Sequence, residues 1–201
     1  MKAKDKININ VDSAIAALKN DGVIIIPTDT LPGIGCNIMS KTACEKIYNI
    51  KQRPQHKPLA IFVPNVDWIF ENCIVDEKII DFCHKNLPGA YTLLLKLKDK
   101  NFATKMTHGG ITENIIGIRI PDNTFCLEIT KQLYNKHNND IILCATSVNL
   151  SGMLPAKTVA AVDPQIAKQV DYIENSNQDG SGRPSTIIDF TINSSSPIVV
   201  R

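Results

Sequence analysis

Four short polar stretches hold most of the residues able to do chemistry. The first, Pro27-Thr28-Asp29-Thr30-Leu31-Pro32-Gly33-Ile34-Gly35, sets two hydroxyls, a carboxylate and two glycines just after an apolar run. The second is basic, with Lys46, Lys51, Arg53, His56 and Lys57 following Glu45 and no further acid among them. A guanidinium binds oxyanions bidentately and an ammonium adds a compact point charge, so together they suit a polyphosphate. The third, Thr146-Ser147-Val148-Asn149, places a hydroxyl and an amide where both reach one side of an extended turn. Neutral groups so placed can hold a phosphate or orient a nucleophile. The fourth, Asp179-Gly180-Ser181-Gly182-Arg183-Pro184-Ser185-Thr186, is a glycine-rich lead into a strand that can offer backbone N–H groups to an anion. Each also has a plainer reading. Thr, Asp, Gly and Pro make good turns, cations favour helix C-termini, and Ser and Asn cap helices. No G-x-x-x-x-G-K-[ST] occurs, which closes the ordinary P-loop route to ATP.

What holds these stretches in place follows from the apolar periodicity. Asp12 reads as the cap of a helix over 13–20, where Ile15 and Leu18 share a face and Gly22 stops the chain. Residues 23–26 form a β-branched run ended by Pro27, as in a strand buried on both faces. Ser40 caps a helix over 41–50 whose end delivers Lys51 and Arg53. Further strands are expected over 59–63, 91–97, 115–120, 141–145, 170–173, 185–190 and 198–200, and helices over 76–85 and 124–135, with a weaker one near 158–162. This alternation predicts one α/β domain over 1–201, with three layers and a twisted, open, mixed sheet of about seven strands. Such sheets bind ligands at strand ends, where the four stretches lie. Residues 106–112 read as a loop able to close over a site, and Trp68, Phe70, Phe82, Phe102 and Phe125 as core or groove lining.

Composition narrows the function classes. Lys and Arg total 22 against 20 Asp and Glu, a net charge of +2, too little for a nucleic-acid binder held by bulk charge. At 43% hydrophobic the chain buries enough surface to exclude disorder. Apolar runs such as 23–26 fall far short of the ~20 residues of a membrane span. No apolar signal core follows the charged residues 1–6, so a cytoplasmic protein is expected. The six cysteines, without any C-x-x-C, read as buried thiols in a reducing compartment rather than a disulfide framework or zinc site. The histidines likewise lack metal partners at useful spacing.

In combination and in this order, the stretches resemble the YrdC/Sua5/TsaC family of threonylcarbamoyl-AMP synthases. The residues that carry the likeness are Pro27-Thr28-Asp29-Thr30 with Gly33-Ile34-Gly35, Lys51-x-Arg53-Pro54 with Lys57-Pro58-Leu59, Pro88-Gly89-x-x-Thr92, Ile118-Arg119-Ile120-Pro121, Ser147-x-Asn149-x-Ser151-Gly152 and Ser185-Thr186-Ile187-Ile188. The resemblance implies a nucleotidyltransferase that joins L-threonine, bicarbonate and ATP into threonylcarbamoyl-adenylate and pyrophosphate, for the N6-threonylcarbamoyl modification of tRNA position 37. It also implies a YrdC-like fold with a positive concave face, Mg2+ bound through the ATP phosphates, downstream threonylcarbamoyl-transfer proteins as partners, and weak tRNA contact. Ending at Arg201, the chain is similar to the short form that lacks the further C-terminal domain of Sua5-type members.

By the same similarity, Lys51, Arg53, Ser147 and Asn149 form the catalytic group. Arg53, Lys57, Ser147 and Arg201 contact ATP, while Thr30, Arg119, Ala145 and Ser185 contact threonine. Arg119, leaving an apolar strand, is suited to clamp the amino-acid carboxylate. The chain departs from the family pattern at Leu31-Pro32, where Val-Tyr is usual, and at Phe62, where histidine is frequent. Both touch amino-acid specificity. Two other readings remain beside this one: a non-catalytic tRNA or double-stranded RNA-binding module, and a related carbamoyl-adenylate-forming enzyme with a different amine substrate.

Overall fold

The computed structural model describes residues 10–175, 178 and 180–201. The charged residues 1–6 and Asp179 of the fourth stretch lie outside the described residues.

Nine strands form one mixed sheet: β1 (Ile24–Ile26), β2 (Gly33–Asn37), β3 (Ala60–Phe62), β4 (Tyr91–Lys96), β5 (Ile115–Arg119), β6 (Leu143–Ser147), β7 (Tyr172–Ile173), β8 (Thr186–Asp189) and β9 (Ile198–Val199). They lie in the order β7-β1-β2-β6-β3-β5-β4-β8-β9. The pairs β1–β7, β3–β5 and β4–β8 are parallel and the others antiparallel, so the sheet is mixed as expected. About seven strands were expected, and the one that escaped sequence reading is β2. Its Gly33-Ile34-Gly35 has turn composition, but the glycines serve close strand packing: a Cβ on Gly35 would stand 2.5 Å from the Cys144 carbonyl oxygen. Opposite it, β6 starts and ends two residues later than its apolar run, which puts Ser147 at the strand's end.

Local capping explains most helix boundaries. In α2 (Lys41–Lys51) the Ser40 hydroxyl accepts from the Ala43 N–H at 3.1 Å, and Gln52 ends the helix in the left-handed region at φ 49°. Asp76 caps α4 (Glu77–Asn86) and Asn123 caps α6 (Thr124–His137) in the same way. The first helix, α1 (Asp12–Lys19), takes Asp12 into its first turn instead of using it as the cap, because Asn10 Oδ1 accepts from the Asp12 N–H. A short α3 (Val66–Asn72), unforeseen in the sequence, is capped by Asn65. Near 158–162 the chain makes a 3-10 turn, Val159–Ala161, followed by the single turn α7 (Pro164–Ala167), and α5 (Lys100–Thr104) is also short. No helix among the described residues is long and apolar enough to cross a membrane.

Strand alternation splits the interior into two cores. Ile24 and Ile26 pack with Leu18 of α1 and with Phe125, Ile129 and Leu133 of α6, whereas Ile25 joins Ile34, Cys36, Ile47 and Ile61 under α2. Helices on both faces make the three layers. Residues 106–112 do not form a lid: Met106 and Ile111 are buried, the Gly109 carbonyl accepts from the Leu59 N–H at 2.8 Å, and Gly109 packs on Ile38, whose side chain belongs to the α2 core. Of the aromatic residues, Trp68 and Phe125 are fully buried, and Phe70, Phe82 and Phe102 pack against the α2 core. Phe125 has no exposed surface. Phe125→Ala should therefore lower unfolding free energy by about 3–5 kcal/mol, read from the midpoint of urea denaturation.

Candidate active site

On the sheet face that carries α1 and α6, a cavity of about 240 Å³ opens beside the core those helices cover. Its floor is paved by small residues: Gly33 of β2, Ala145 of β6, Ala60 of β3 and Gly117 of β5. Alternation places all four on one face, while their neighbours Ile34, Cys144, Ile61 and Ile118 enter the α2 core. A Cβ on Gly117 would meet Thr92 and Ala60 at 3.4–3.5 Å, so small side chains are what leave room above the sheet.

One wall is the turn between β1 and β2. The Thr28 hydroxyl donates to the Leu31 carbonyl at 2.7 Å and accepts from the Thr30 N–H at 3.0 Å, which fixes the turn from within. The fourth polar stretch hooks onto it: Ser181 and Gly182 N–H groups donate to the Asp29 and Thr30 carbonyls at 2.9 Å. Gly180 approaches so closely that a Cβ there would stand 2.4 Å from the Thr28 carbonyl oxygen. This contact brings Ser185 alongside, where its hydroxyl bonds that of Thr92 at 2.8 Å.

Arg119, at the end of β5, reaches into this wall. Nη2 donates to Asp29 Oδ1 at 2.7 Å and Nη1 to Thr30 Oγ1 at 3.1 Å, and the guanidinium lies 5.5 Å from the Phe62 ring centroid. Both partners of the ion pair keep only 10% of their side-chain surface. Burial lowers the Arg119 pKa and the Asp29 carboxylate works against that, so a charged guanidinium persists in a dry setting. Arg119 Nε and Asp29 Oδ2 are buried without a partner.

A second wall, beside the β1–β2 turn, is the end of β6. Ser147 Oγ donates to Asn149 Oδ1 at 2.8 Å, and Asn149 Nδ2 donates to the Leu150 and Met153 carbonyls, each at 2.8 Å. Beneath it lies Lys51, only 2% exposed. Its ammonium donates to the Ser147 carbonyl, to the Asn149 carbonyl at 2.7 Å and to Asn149 Oδ1 at 3.2 Å. An ammonium has three protons, and three oxygens of one turn take them. Arg53 leaves the end of α2 toward the cavity, braced by the Lys57 carbonyl at 3.4 Å and the Pro58 carbonyl at 3.2 Å.

The sequence-derived site is therefore largely assembled. Thr30, Arg53, Arg119, Ala145, Ser147, Ser185 and Arg201 all line the cavity, and Arg201 Nε donates to the Ser185 carbonyl at 3.4 Å. Lys51 and Asn149 are not among the lining residues; both lie behind Ser147 and hold its turn. Lys57 is exposed and outside the lining. Of the two departures, Leu31 and Phe62 line the cavity, whereas Pro32 instead accepts the Val148 N–H at 3.0 Å. Sequence reading did not single out Asp29 as the partner of Arg119, nor Thr28 and Thr92 as lining groups, although all three stand inside the quoted motifs. Three guanidiniums (Arg53, Arg119 and Arg201) line the cavity and no described carboxylate does, so it attracts anions.

Residues 16–201 match the Sua5/YciO/YrdC family, which carries the description "Telomere recombination". The chain belongs to this family. It is 36% identical over 172 residues to a putative threonylcarbamoyl-AMP synthase of Methanocaldococcus jannaschii, covering 84% of this chain and 74% of that one. Among solved structures, Escherichia coli YciO superposes with a TM-score of 0.77 at 27% identity, covering 95% of this chain and 87% of that one. Sua5 of P. abyssi, solved with L-threonine, gives a TM-score of 0.74 at 22% identity, a likeness of fold that covers 94% of this chain and 52% of the longer Sua5.

Lys51 also makes the wall sensitive to pH. Burial first, and the Arg53 charge second, pull its pKa from the ordinary 10.5 down to about 8. Between those values the unfolded chain keeps a proton that the folded chain has released, so this group's contribution to unfolding free energy rises with pH. Lys51→Met leaves three oxygens without their donor and should cost about 1–3 kcal/mol at pH 7. Urea titrations at pH 7 and pH 10 should show the gap between wild type and Lys51→Met widening at the higher pH.

Proposed function

We propose that this chain is a threonylcarbamoyl-AMP synthase, acting as one domain, and that the cationic cavity is its active site. The observation that carries the reading is the placement of Arg53 and Arg201 in the same small-floored cavity as the Arg119–Thr30–Ser185 wall. Two anions must meet in this reaction. Threonine's amine and bicarbonate give a carbamate and water; a carbamate oxygen then forms a bond to the α-phosphorus of ATP as the bond to pyrophosphate breaks. Positioning and charge neutralisation suffice, with no covalent enzyme intermediate. The name carried by the M. jannaschii relative and the threonine bound in a protein of the same fold support the assignment.

Each residue then has a role that its contacts allow. Arg119, held square by Asp29 and Thr30, takes the threonine carboxylate. The hydroxyls of Thr30 and Ser185 and the backbone of Ala145 surround the rest of the amino acid. Arg53 and Arg201 face the triphosphate, and Lys57 at the rim adds charge for its outer phosphates. Ser147 Oγ faces the α-phosphate, and Lys51 and Asn149 act through it as positioning residues. At about 240 Å³ the cavity is smaller than the ~300–1,000 Å³ usual for whole drug-sized ligands, which suits an amino acid and the reacting phosphate with the nucleoside beyond them. Mg2+ would supply further charge neutralisation, held by the phosphates, since no described carboxylate lines the cavity. The product would pass to threonylcarbamoyl-transfer proteins acting on tRNA in the cytoplasm.

Pyrophosphate release with ATP, Mg2+, bicarbonate and threonine tests this. Arg53→Ala and Ser147→Ala should each lower kcat/KM about 10²-fold or more, and Arg119→Lys should act mainly on the KM of threonine. Ala60→Leu should fill the floor and abolish turnover while the chain stays folded. Wild-type protein that releases no pyrophosphate with threonine or any other amino acid would refute the assignment.

A further inference from the structure

The six cysteines are all buried and free, and three of them, Cys36 and Cys44 with Cys144 from far along the chain, converge. Cys36 of β2 stands directly across from Cys144 of β6, and Cys44 of α2 packs over both. The Cys36 Sγ lies 3.6 Å from Cys144 Sγ and 3.9 Å from Cys44 Sγ, and all three sulfurs fall within 4.8 Å of one another. None has exposed surface. The cluster lies under α2, on the face opposite the cavity floor, and takes no part in the proposed reaction.

We propose that Cys36, Cys44 and Cys144 form a buried three-thiol site that captures one trivalent thiophilic centre, of which arsenous acid is the simplest source. Sulfurs each about 2.3 Å from a common centre stand about 4 Å apart when the centre lies in their plane and closer when it lies above. The Cys36–Cys144 and Cys36–Cys44 separations fit that limit, and Cys44 and Cys144, within 4.8 Å of each other, would close on the centre.

Charge selects the valence. A monovalent or divalent ion with three thiolates leaves net negative charge in a fully buried, apolar pocket, which is costly. Two carbonyl oxygens, of Asn37 and Ile38, face Cys44 Sγ at 3.9 and 3.6 Å. Bonding between the thiols raises the Cys36 pKa and lowers that of Cys44 to about 4, and burial raises that of Cys144, so the cluster carries at most one negative charge. A trivalent centre ends neutral: one As(OH)3 and three S–H groups, Cys44 drawing its proton from solvent, give As bonded to three sulfurs and three waters, with no electrons transferred. Zinc prefers a fourth ligand, and among the described residues no other His, Cys, Asp or Glu joins the group. A Cys36–Cys144 disulfide is disfavoured by register. The Ile38 to Ile142 and Val148 to Pro32 bonds make Cys36 and Cys144 a hydrogen-bonded pair, whose Cα atoms stand about 5.5 Å apart and whose Cβ atoms do not close to the ~3.8 Å a disulfide needs. Entry requires local opening, so capture should be slow.

The reduced full-length chain incubated with sodium arsenite should gain, by intact mass, one arsenic less three hydrogens. It should lose three of six titratable thiols and melt at a higher temperature, because β2 and α2 become tied to the distant β6. Cys44→Ala should lose the three-thiol mass, and Cys126→Ala should keep it. The inference is overturned if Cys44→Ala gives the same adduct, or if Cys126→Ala loses it. It is also overturned if wild type gives none even after unfolding in urea and refolding with arsenite.

Discussion

The cavity depends on one buried ammonium. Lys51 ends α2, and β6 ends at Ser147, ninety-six residues later in the chain. Two carbonyls and an amide oxygen of the Ser147–Asn149 turn converge on that lysine, and the Ser151 N–H returns a bond to the Lys51 carbonyl at 2.8 Å. Carbonyl oxygens gathered this closely repel one another unless a donor lies between them, so the turn holds its shape around the N–H groups of this amine. The proton-bearing lysine thereby fixes both sides at once: Arg53 two residues beyond it on the chain, and Ser147 above it. A cation that would be a weak surface group in water becomes, at 2% exposure, a structural centre.

The other wall is built on the opposite principle. There the cation comes from the strand and the oxygens from the turn, and Asp29 shares its charge with Arg119 under a layer supplied by Gly180 and Ser181. Desolvation makes such a pair expensive to form and expensive to break. What it secures is direction. With Nη1 on Thr30, Nη2 on Asp29 and the plane beside Phe62, the guanidinium has one orientation in which to meet a guest.

Much of this was legible in the sequence because its signals are local. Ser40, Asp76 and Asn123 announce helix starts through their side chains, and the β-branched run at 23–26 announces a strand buried on both faces. Motif order brought Thr30, Arg53, Arg119, Ser147 and Ser185 into one group, and all five line one cavity. What stayed hidden depends on neighbours distant in sequence. Gly35 looks like a turn residue until β6 is laid against it. The three acceptors that Lys51 meets lie far from it in sequence, and Cys36, Cys44 and Cys144 look scattered until β2, β6 and α2 are stacked. Lys57 shares the basic stretch with Arg53, but the stretch turns after Gln52 and exposes it.

The two walls differ in how much charge they leave for a guest. On the Arg119 side Asp29 offsets the guanidinium, and the walls offer mainly hydroxyls and a directed fork, terms suited to a zwitterion that brings its own balanced charge. No described acid opposes Arg53 or Arg201; burial lowers the pKa values of Arg53 and Arg119, and the Arg201 charge lowers both further. That mutual repulsion is a cost in the empty cavity, and it is relieved when a multiply charged anion lies between the cations. In the proposed reaction a triphosphate would relieve that unfavourable charge, while the Arg119 side, already balanced by Asp29, would not compete for it. An uneven distribution of this kind would sort the nucleophile from the electrophile in a cavity whose floor, paved in glycine and alanine, expresses no preference of its own.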